Sequence, residues 1–444
     1  MARIVVIGAG VAGLSVSMLL ARDGHDVLVV ERDSASPPAS ADEAWDMWER
    51  RGVNQFRLLH YFLPRFRILL EAELPEVVSA ATDLGALRYN PIALAPAEIT
   101  GGPQPGDDDF ESVTARRPVM EAALRRAADS MSRVTIRRGT GAAGLETGAE
   151  TTGGVPHVTG VRTETGETIA ADLVIDAAGR RSALPAWLAA IGARPIVEER
   201  EDSGFVYYGR HFRSGDGSVP VAFGPPLQHY DSISTLTLPA DNGTWGVGFV
   251  TGAGDPDLRA LRDPQVWATA LHQFPLVAHW ADGKALDDQV AVTAKIEDRH
   301  RDLHVDGMPV ATGVLAVADS WACTNPSVGR GASIGLLHAV ALRDVLRASP
   351  VDQPLELAHA WNEATLETVE PWYRDTLGFD RNRLAEIDAQ RRGEPYDGGP
   401  EWELVQAMQF ASAQDPRCSG PPCESQACSD GRATCSPNPA SSNV

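Results

Sequence analysis

The chain has 444 residues, more than one ordinary core holds, with 43% hydrophobic and 22% charged residues, so two interleaved globular domains are expected. Its formal net charge of −21 argues against nucleic acid as a partner, because binding phosphates calls for basic surface. No apolar run reaches the about 18 residues that a membrane-spanning helix needs, so no membrane span is expected.

The chain opens MARIVVIGAGVAGLSVSMLLARDGHDVLVVERD. Residues 4–7 read as a strand, 11–22 as a helix ended by Gly24, and 27–31 as a second strand. A cleavable signal peptide is a poor reading, since the apolar run breaks at Gly8 and the strand pattern returns in DVLVVE. In this βαβ unit Gly8 would make the tight turn, Gly10 would let the backbone approach a pyrophosphate, and Gly13 would let helix and strand pack closely. Glu31 ends the second strand, where a carboxylate accepts hydrogen bonds from a ribose. A glycine triplet alone is weak evidence; a strand, a helix, a second strand and an acid around it point to a dinucleotide.

A helix is expected over 63–74, and a polar, Gly/Pro-rich loop or a piece of the second domain over 91–109. Pro118 marks a helix start, and VTIRRG, VPHVTGVRT and TIAADLVIDAAG follow as strands. GFVYYGRHFR, ISTLTLPA and TWGVGFVTG alternate in the β manner, the last two joined at Asp241-Asn242-Gly243, a strong hairpin signal. Then come a helix over 264–274, the strand GVLAVAD, a glycine loop, a helix over 334–346 and a helical pair over 355–392. From about Gly399 the Pro/Ser/Gly-rich composition predicts disorder, and Cys418, Cys423, Cys428 and Cys435 fall there without a CxxC pair or a histidine that would suggest zinc. Without a signal sequence a cytoplasmic location with reduced thiols is expected.

Two later segments share the logic of the first. In ADLVIDAAGRRSALPAWL an apolar strand runs into Asp176, two alanines and Gly179. In GVLAVADSWACTNPSVGRGASIGLLHA a strand ends at Asp319, and Asn325-Pro326 leads to Gly329, Gly331 and Ala332 at a helix start. Asp319 could hold a ribose or ribityl hydroxyl, and the free N–H groups near Gly331 could face an electron-rich ring edge.

GAGVAG with Glu31, then DAAGR, then AD followed by NPSVGRGAS, in this order, resembles the FAD-dependent monooxygenases of the aromatic-hydroxylase (p-hydroxybenzoate hydroxylase-like) superfamily, over roughly residues 1–392. YYGRHFR and PWYRDTLGFDRNRL look like an actinobacterial branch of it. The resemblance implies an α/β fold: a Rossmann-like FAD-binding domain over 1–90, 110–182 and 300–348, an inserted β-sheet substrate domain over 91–109 and 183–299, C-terminal helices over 349–398, and a disordered tail over 399–444. It also implies that Gly8, Gly10, Gly13, Glu31, Arg32, Arg51, Arg117, Asp319, Pro326, Gly329, Gly331 and Ala332 bind FAD, with Gln55 and His60 in a loop close to the flavin and no metal site. The alternative for Arg117 is a salt-bridged helix start.

Aromatic hydroxylases usually carry Asp-Gly in the second motif, whereas this chain has Ala178-Gly179 with Asp176 earlier. The departure puts direct NAD(P)H binding in doubt and raises a flavin reductase as a partner. Tryptophan-type halogenation is disfavoured, because the lysines, Lys284 and Lys295, lie far from the place required and WxWxIP does not occur. The reaction that the resemblance implies is hydroxylation or epoxidation of an apolar or aromatic small molecule of secondary metabolism through a flavin hydroperoxide, with NAD(P)H as electron donor; dehydrogenation, ene-reduction and a non-catalytic redox sensor are the alternatives. The cofactor carries such chemistry, so no catalytic side chain need be visible. Tyr207 and His211 share one strand face and could line a substrate pocket or be ordinary strand residues. Phe205, Tyr208, Phe223, Tyr230, Trp245 and Phe249 fit either a pocket or a core.

Overall fold

The computed structural model describes residues 1–419. Its centre is a five-stranded parallel sheet in the order Val314–Ala316, Leu173–Asp176, Arg3–Ile7, Asp26–Glu31, Val134–Arg138. Side chains alternate across a strand, and here both alternations are apolar. Ile4, Val6, Val27, Val29, Leu173, Ile175 and Leu315 face a helical layer of Val11–Arg22, Arg117–Asp129 and Gly331–Ala348. Val5, Ile7, Val30, Val174, Val314 and Ala316 face a three-stranded antiparallel meander, Ala142–Thr147, Val158–Thr163 and Thr168–Ala170. Covering both faces is what makes the strand sequences read as unbroken hydrophobic runs.

The second large sheet is antiparallel, with Leu227–His229, Ile233–Pro239, Thr244–Gly252, Phe205–Arg213 and Lys284–Ala285 in that order, and Ala291–Thr293 also paired to Phe205–Arg213. The hairpin forms where expected: Asn242 and Gly243 have φ of 51° and 64°, the left-handed pair of a type I′ turn. Val206, Tyr208, Phe212, Trp245, Val247 and Phe249 pack on the helix Pro264–Leu271 and on Trp280. Phe205 packs on Ile387 instead. Most of the aromatic residues of this block are therefore core.

Three segments differ from expectation. Residues 91–109 are not a plain loop: Asn90 accepts hydrogen bonds from the backbone of Ile92 and Ala93 and starts the one-turn helix Pro91–Leu94, followed by Ala97–Thr100. The helix expected over 334–346 runs from Gly331 to Ala348, so it starts at the glycine loop itself and is longer at both ends. The expected disorder from Gly399 is a correction: Gly399–Gln414 is a helix. Its segment EWELVQAMQFASAQ carries good helix formers, and Trp402 is buried edge-on against Phe379 with ring centroids 5.6 Å apart. Arg417 then reaches back to Asp107 at 2.8 Å and to the Gly102 carbonyl at 2.8 Å. Composition like that of the following tail does not prevent order here, because these tertiary contacts hold the stretch. Cys423, Cys428 and Cys435 lie outside the described residues. No described helix is long and apolar enough to cross a membrane.

Candidate functional site: a dinucleotide cradle opening into an apolar chamber

A single cavity of about 1400 Å³ runs from the glycine loop to the antiparallel sheet. At its nucleotide end Gly8 has φ of 101°, and a Cβ there would come within 2.8 Å of the Ala177 carbonyl oxygen. A Cβ on Gly13 would overlap the Gly8 carbonyl oxygen, so the helix can approach the strand only with glycine here. Gly10 has open space where its Cβ would be, and it lines the cavity as the residue before the helix Val11–Arg22. That is a cradle shaped for a phosphate at a helix N-terminus.

Glu31 is placed at the end of its strand as expected, and its carboxylate is already engaged. Oε2 accepts from the Ala9 N–H at 2.9 Å and from Arg50 Nη2 at 2.7 Å, and Oε1 accepts from the Asp33 N–H at 2.9 Å. It still lines the cavity, so it can both hold the glycine loop and meet a ribose. Arg32 lines the cavity too, its Nη2 lying 3.0 Å from where a Cβ on Gly52 would be.

Arg51 is a correction: it lies exposed at the corner of a turn closed by the Val53 N–H on the Arg50 carbonyl, and it does not line the cavity. Arg50 turns inward in its place, pairing with Glu31, with Asp33 at 3.2 Å and with Glu121. Burial opposes the Arg50 charge, and Glu121 and Glu31 more than offset it, so its pKa is raised. Burial would likewise push Glu121 up, but Arg50 and Arg117 bring it down to about 2. Arg50 and Glu121 escaped the sequence reading, although Glu121 stands one helical turn after Arg117, a spacing that could have marked it.

Arg117 is the salt-bridged helix start and also lines the cavity: Nε pairs with Glu121 at 2.7 Å and Nη1 meets His60 Nε2 at 3.1 Å. Since Arg117 only donates, His60 Nε2 accepts, and Nδ1–H donates to the Leu58 carbonyl at 3.0 Å. Burial, aided by Arg117, pushes the His60 pKa down to about 3, so this ring is neutral. Gln55 lines the same wall.

The third motif supplies the other wall. Ala318 is held at φ of 53°, its N–H donated to His338 Nδ1 at 3.0 Å, and His338 lies stacked on Trp361 at 4.4 Å. This strained backbone aims Asp319 into the cavity, where its carboxylate has no hydrogen-bond partner among the described residues. Burial raises its pKa, with Arg180 and Arg117 opposing. Pro326, Gly329, Gly331 and Ala332 all line the cavity, and the 18-residue helix Gly331–Ala348 points its N-terminus there with no side-chain cap. An uncapped N-terminus leaves free N–H groups and positive dipole for negative charge. The open glycine cradle and the unpartnered Asp319 are what an FAD requires at its pyrophosphate and sugar hydroxyls, so these residues fit that group.

The second motif contributes a stretch of wall but not its aspartate. Asp176 is fully buried and faces away from the cavity, accepting from the Ala178 N–H at 3.1 Å and from the Ser182 hydroxyl. Ala177 to Ala183 form the wall. Of the strand pair, Tyr207 lines the cavity, whereas His211 is buried against Trp45 at 4.6 Å. The far chamber is walled by Leu59, Phe223, Leu236, Leu238 and Ile296, with Gln409, Ser412 and Ala413 of the C-terminal helix closing one side.

Residues 3–82 match the family model described as "FAD dependent oxidoreductase". Protein Rv3254 of Mycobacterium tuberculosis is 31% identical over 396 residues, covering 84% of this chain and 79% of that protein. Among solved structures, PqsL of Pseudomonas aeruginosa, described as a probable FAD-dependent monooxygenase, superposes with a TM-score of 0.59 at 15% identity, covering 88% of this chain and 98% of that one. The myxobacterial chondrochloren halogenase CndH gives 0.58 at 14% identity, covering 93% and 90%. Likeness at such identity speaks for the fold and does not choose between the two reactions. Identity with Rv3254 runs across most of both chains, the opening match carries the flavin description, and the chain therefore belongs to the family of Rv3254, as an FAD-dependent oxidoreductase.

Proposed function

We propose that the protein is a monooxygenase that hydroxylates or epoxidises an apolar or aromatic small molecule, with cytoplasmic NAD(P)H as the ultimate electron source. The observation that carries this reading is the continuity of the cavity. Ligand pockets typically span about 300–1,000 Å³, and this one, at about 1400 Å³, has room beyond the cradle for a second molecule. That molecule would lie between the Pro326–Ala332 loop and the apolar chamber.

FAD, when bound, supplies the activation of oxygen. The chain's own residues would bind and orient: Glu31, Arg32 and Asp319 line the cavity where they would hold the sugar hydroxyls, and the N–H groups at the helix starts beside Gly10 and Gly331 would face negative charge. Leu59, Leu236, Leu238 and Ile296 exclude water from the reacting edge. Neutral His60, fixed by Arg117, presents no charge to an apolar guest. Asp176 is turned inward and Ala178 stands in its place on the wall, which favours electron delivery by a separate flavin reductase over a tightly held nicotinamide.

The test is to reduce the flavin anaerobically, admit oxygen with candidate substrates present, and follow the absorbance. A transient absorbing to the blue of the oxidised flavin supports oxygenation. Slow reoxidation without one overturns it in favour of dehydrogenation or ene-reduction.

A further inference from the structure

Behind the Pro326–Ala332 loop a buried polar cluster joins four segments. Tyr207, on Phe205–Arg213, donates its hydroxyl proton to Asn325 Oδ1 at 2.9 Å. Asn325 donates its main-chain N–H to Asp298 Oδ1 at 2.5 Å, and Asp298 lies on the strand Glu297–Asp302. Ser327 donates to Asp380 Oδ1 at 2.7 Å, and Asp380 comes from the helix Glu370–Arg392. Asn325 and Asp380 are 1% and 2% exposed. Tyr207, Asn325 and Ser327 all line the cavity.

The direction of the Asn325 amide is set by its two neighbours. Its Nδ2 and the Asp380 Oδ2 are buried without a partner at hydrogen-bond length. Burial raises the Asp380 pKa to about 7, against Ser327 and the Asn325 side chain, which both act to lower it. The Asn325 oxygen takes the Tyr207 proton, which leaves the amide nitrogen and the free Asp380 oxygen as the two complementary unpaired atoms of the cluster, a donor and an acceptor. The one proton of the Tyr207 hydroxyl is thereby committed to Asn325, and burial holds its pKa far above the ordinary range, so the proton stays. What Tyr207 has left to offer is its oxygen lone pairs.

We propose that Tyr207 is a specificity-determining residue whose oxygen accepts a hydrogen bond from an O–H or N–H of the bound substrate, and that Asn325 and Asp380 are the positioning residues that fix this polarity. The substrate class is then an apolar molecule bearing a hydrogen-bond donor, held with that donor next to the Asn325–Pro326 loop. This rests on the cavity being the substrate chamber of the proposed monooxygenase, though the test needs no turnover.

The probes are 2-naphthol and its methyl ether, titrated into the oxidised, FAD-loaded protein and followed by perturbation of the flavin absorbance. The wild type should prefer the naphthol by about five-fold, the worth of one neutral hydrogen bond. Tyr207→Phe should abolish the preference and leave the affinity for the ether unchanged. At pH 8.5, where Asp380 is ionised, Asp380→Asn removes the charge that orients the Asn325 amide, so it should lower the preference while the Tyr207 ring stays in place. A merely structural role would weaken both probes together. Equal binding or no binding of the two probes by the wild type, or an undiminished preference in Tyr207→Phe, overturns the assignment. An undiminished preference in Asp380→Asn overturns the positioning role. If the oxygen-dependent transient is seen while these titrations fail, the role of Tyr207 is wrong and the monooxygenase reading stands.

Discussion

Arg116 and Asp241 form a buried, multiply bonded ion pair that ties the start of the Arg117–Asp129 helix to the hairpin of the antiparallel sheet. Asp241 Oδ1 accepts the Arg116 N–H at 2.7 Å and Nε at 3.1 Å, and Oδ2 accepts Nη2 at 2.7 Å. The side chains are 1% and 0% exposed, and the Arg116 guanidinium lies 5.1 Å from the Trp45 ring. The pair sets the distance between the residue next to Arg117 and the sheet that carries Tyr207.

Removing one partner strands the other charge, which costs about 3–5 kcal/mol. Asp241→Ala should therefore unfold at clearly lower denaturant than the wild type. FAD content should fall with it, because Arg117 follows directly in the chain. A variant with wild-type stability in urea titration would show that water replaces the lost carboxylate.

The glycine loop separates two effects that one substitution usually mixes. Gly13→Ala places a methyl against the Gly8 carbonyl and should lower the melting temperature of the apoprotein. A Cβ on Gly10 meets nothing within 4 Å and Gly10 lines the cavity, so Gly10→Trp should disturb apoprotein stability less than Gly13→Ala and abolish FAD binding by filling the pyrophosphate approach. Melting curves and the flavin-to-protein absorbance ratio read the two apart.

The C-terminal helix should matter for both stability and the cavity. Trp402→Ala removes a buried indole, a change worth about 3–5 kcal/mol in a packed core. Truncation at Gly399 should also unwall the chamber, where Gln409, Ser412 and Ala413 stand, and raise the rate at which the bound flavin exchanges with solvent solutes. Iodide quenching of flavin fluorescence measures that access.

Asp380 predicts a pH dependence of stability with a definite sign. Burial raises its pKa from the ordinary 3.8 to about 7, with Asp298, raised to about 6 chiefly by burial, and Glu201 adding negative charge nearby. Between these values the folded state holds a proton that the unfolded state has released, so stability falls as pH rises from about 4 to about 7 and levels off above. Asp380→Asn lacks this titration. Its stability relative to the wild type should therefore grow over that window, as urea titrations at pH 4, 5.5, 7 and 8.5 would show. A constant difference across the series would mean that Asp380 is charged throughout.

Local chemistry was enough to specify much of this protein. The opening βαβ unit and its three glycines follow from a buried strand ending at a helix start, and the hairpin follows from Asp241-Asn242-Gly243. The strands of the parallel sheet announce their two covered faces in their own residues. Such features are short-range: periodicity, turn preference and steric demand are written within a few neighbours. Tertiary structure alone decided which of Arg50 and Arg51 turns inward, because adjacent residues of a turn differ only in what their surroundings offer, and Glu31 and Asp33 lie on one other segment and Glu121 on a second. It also decided that Asp176 is buried, that Trp402 finds Phe379 and orders a helix in a stretch of tail-like composition, and that Tyr207 meets Asn325 across 118 positions of chain. Those contacts depend on how separate elements pack, and packing energy is shared among residues that no local pattern connects.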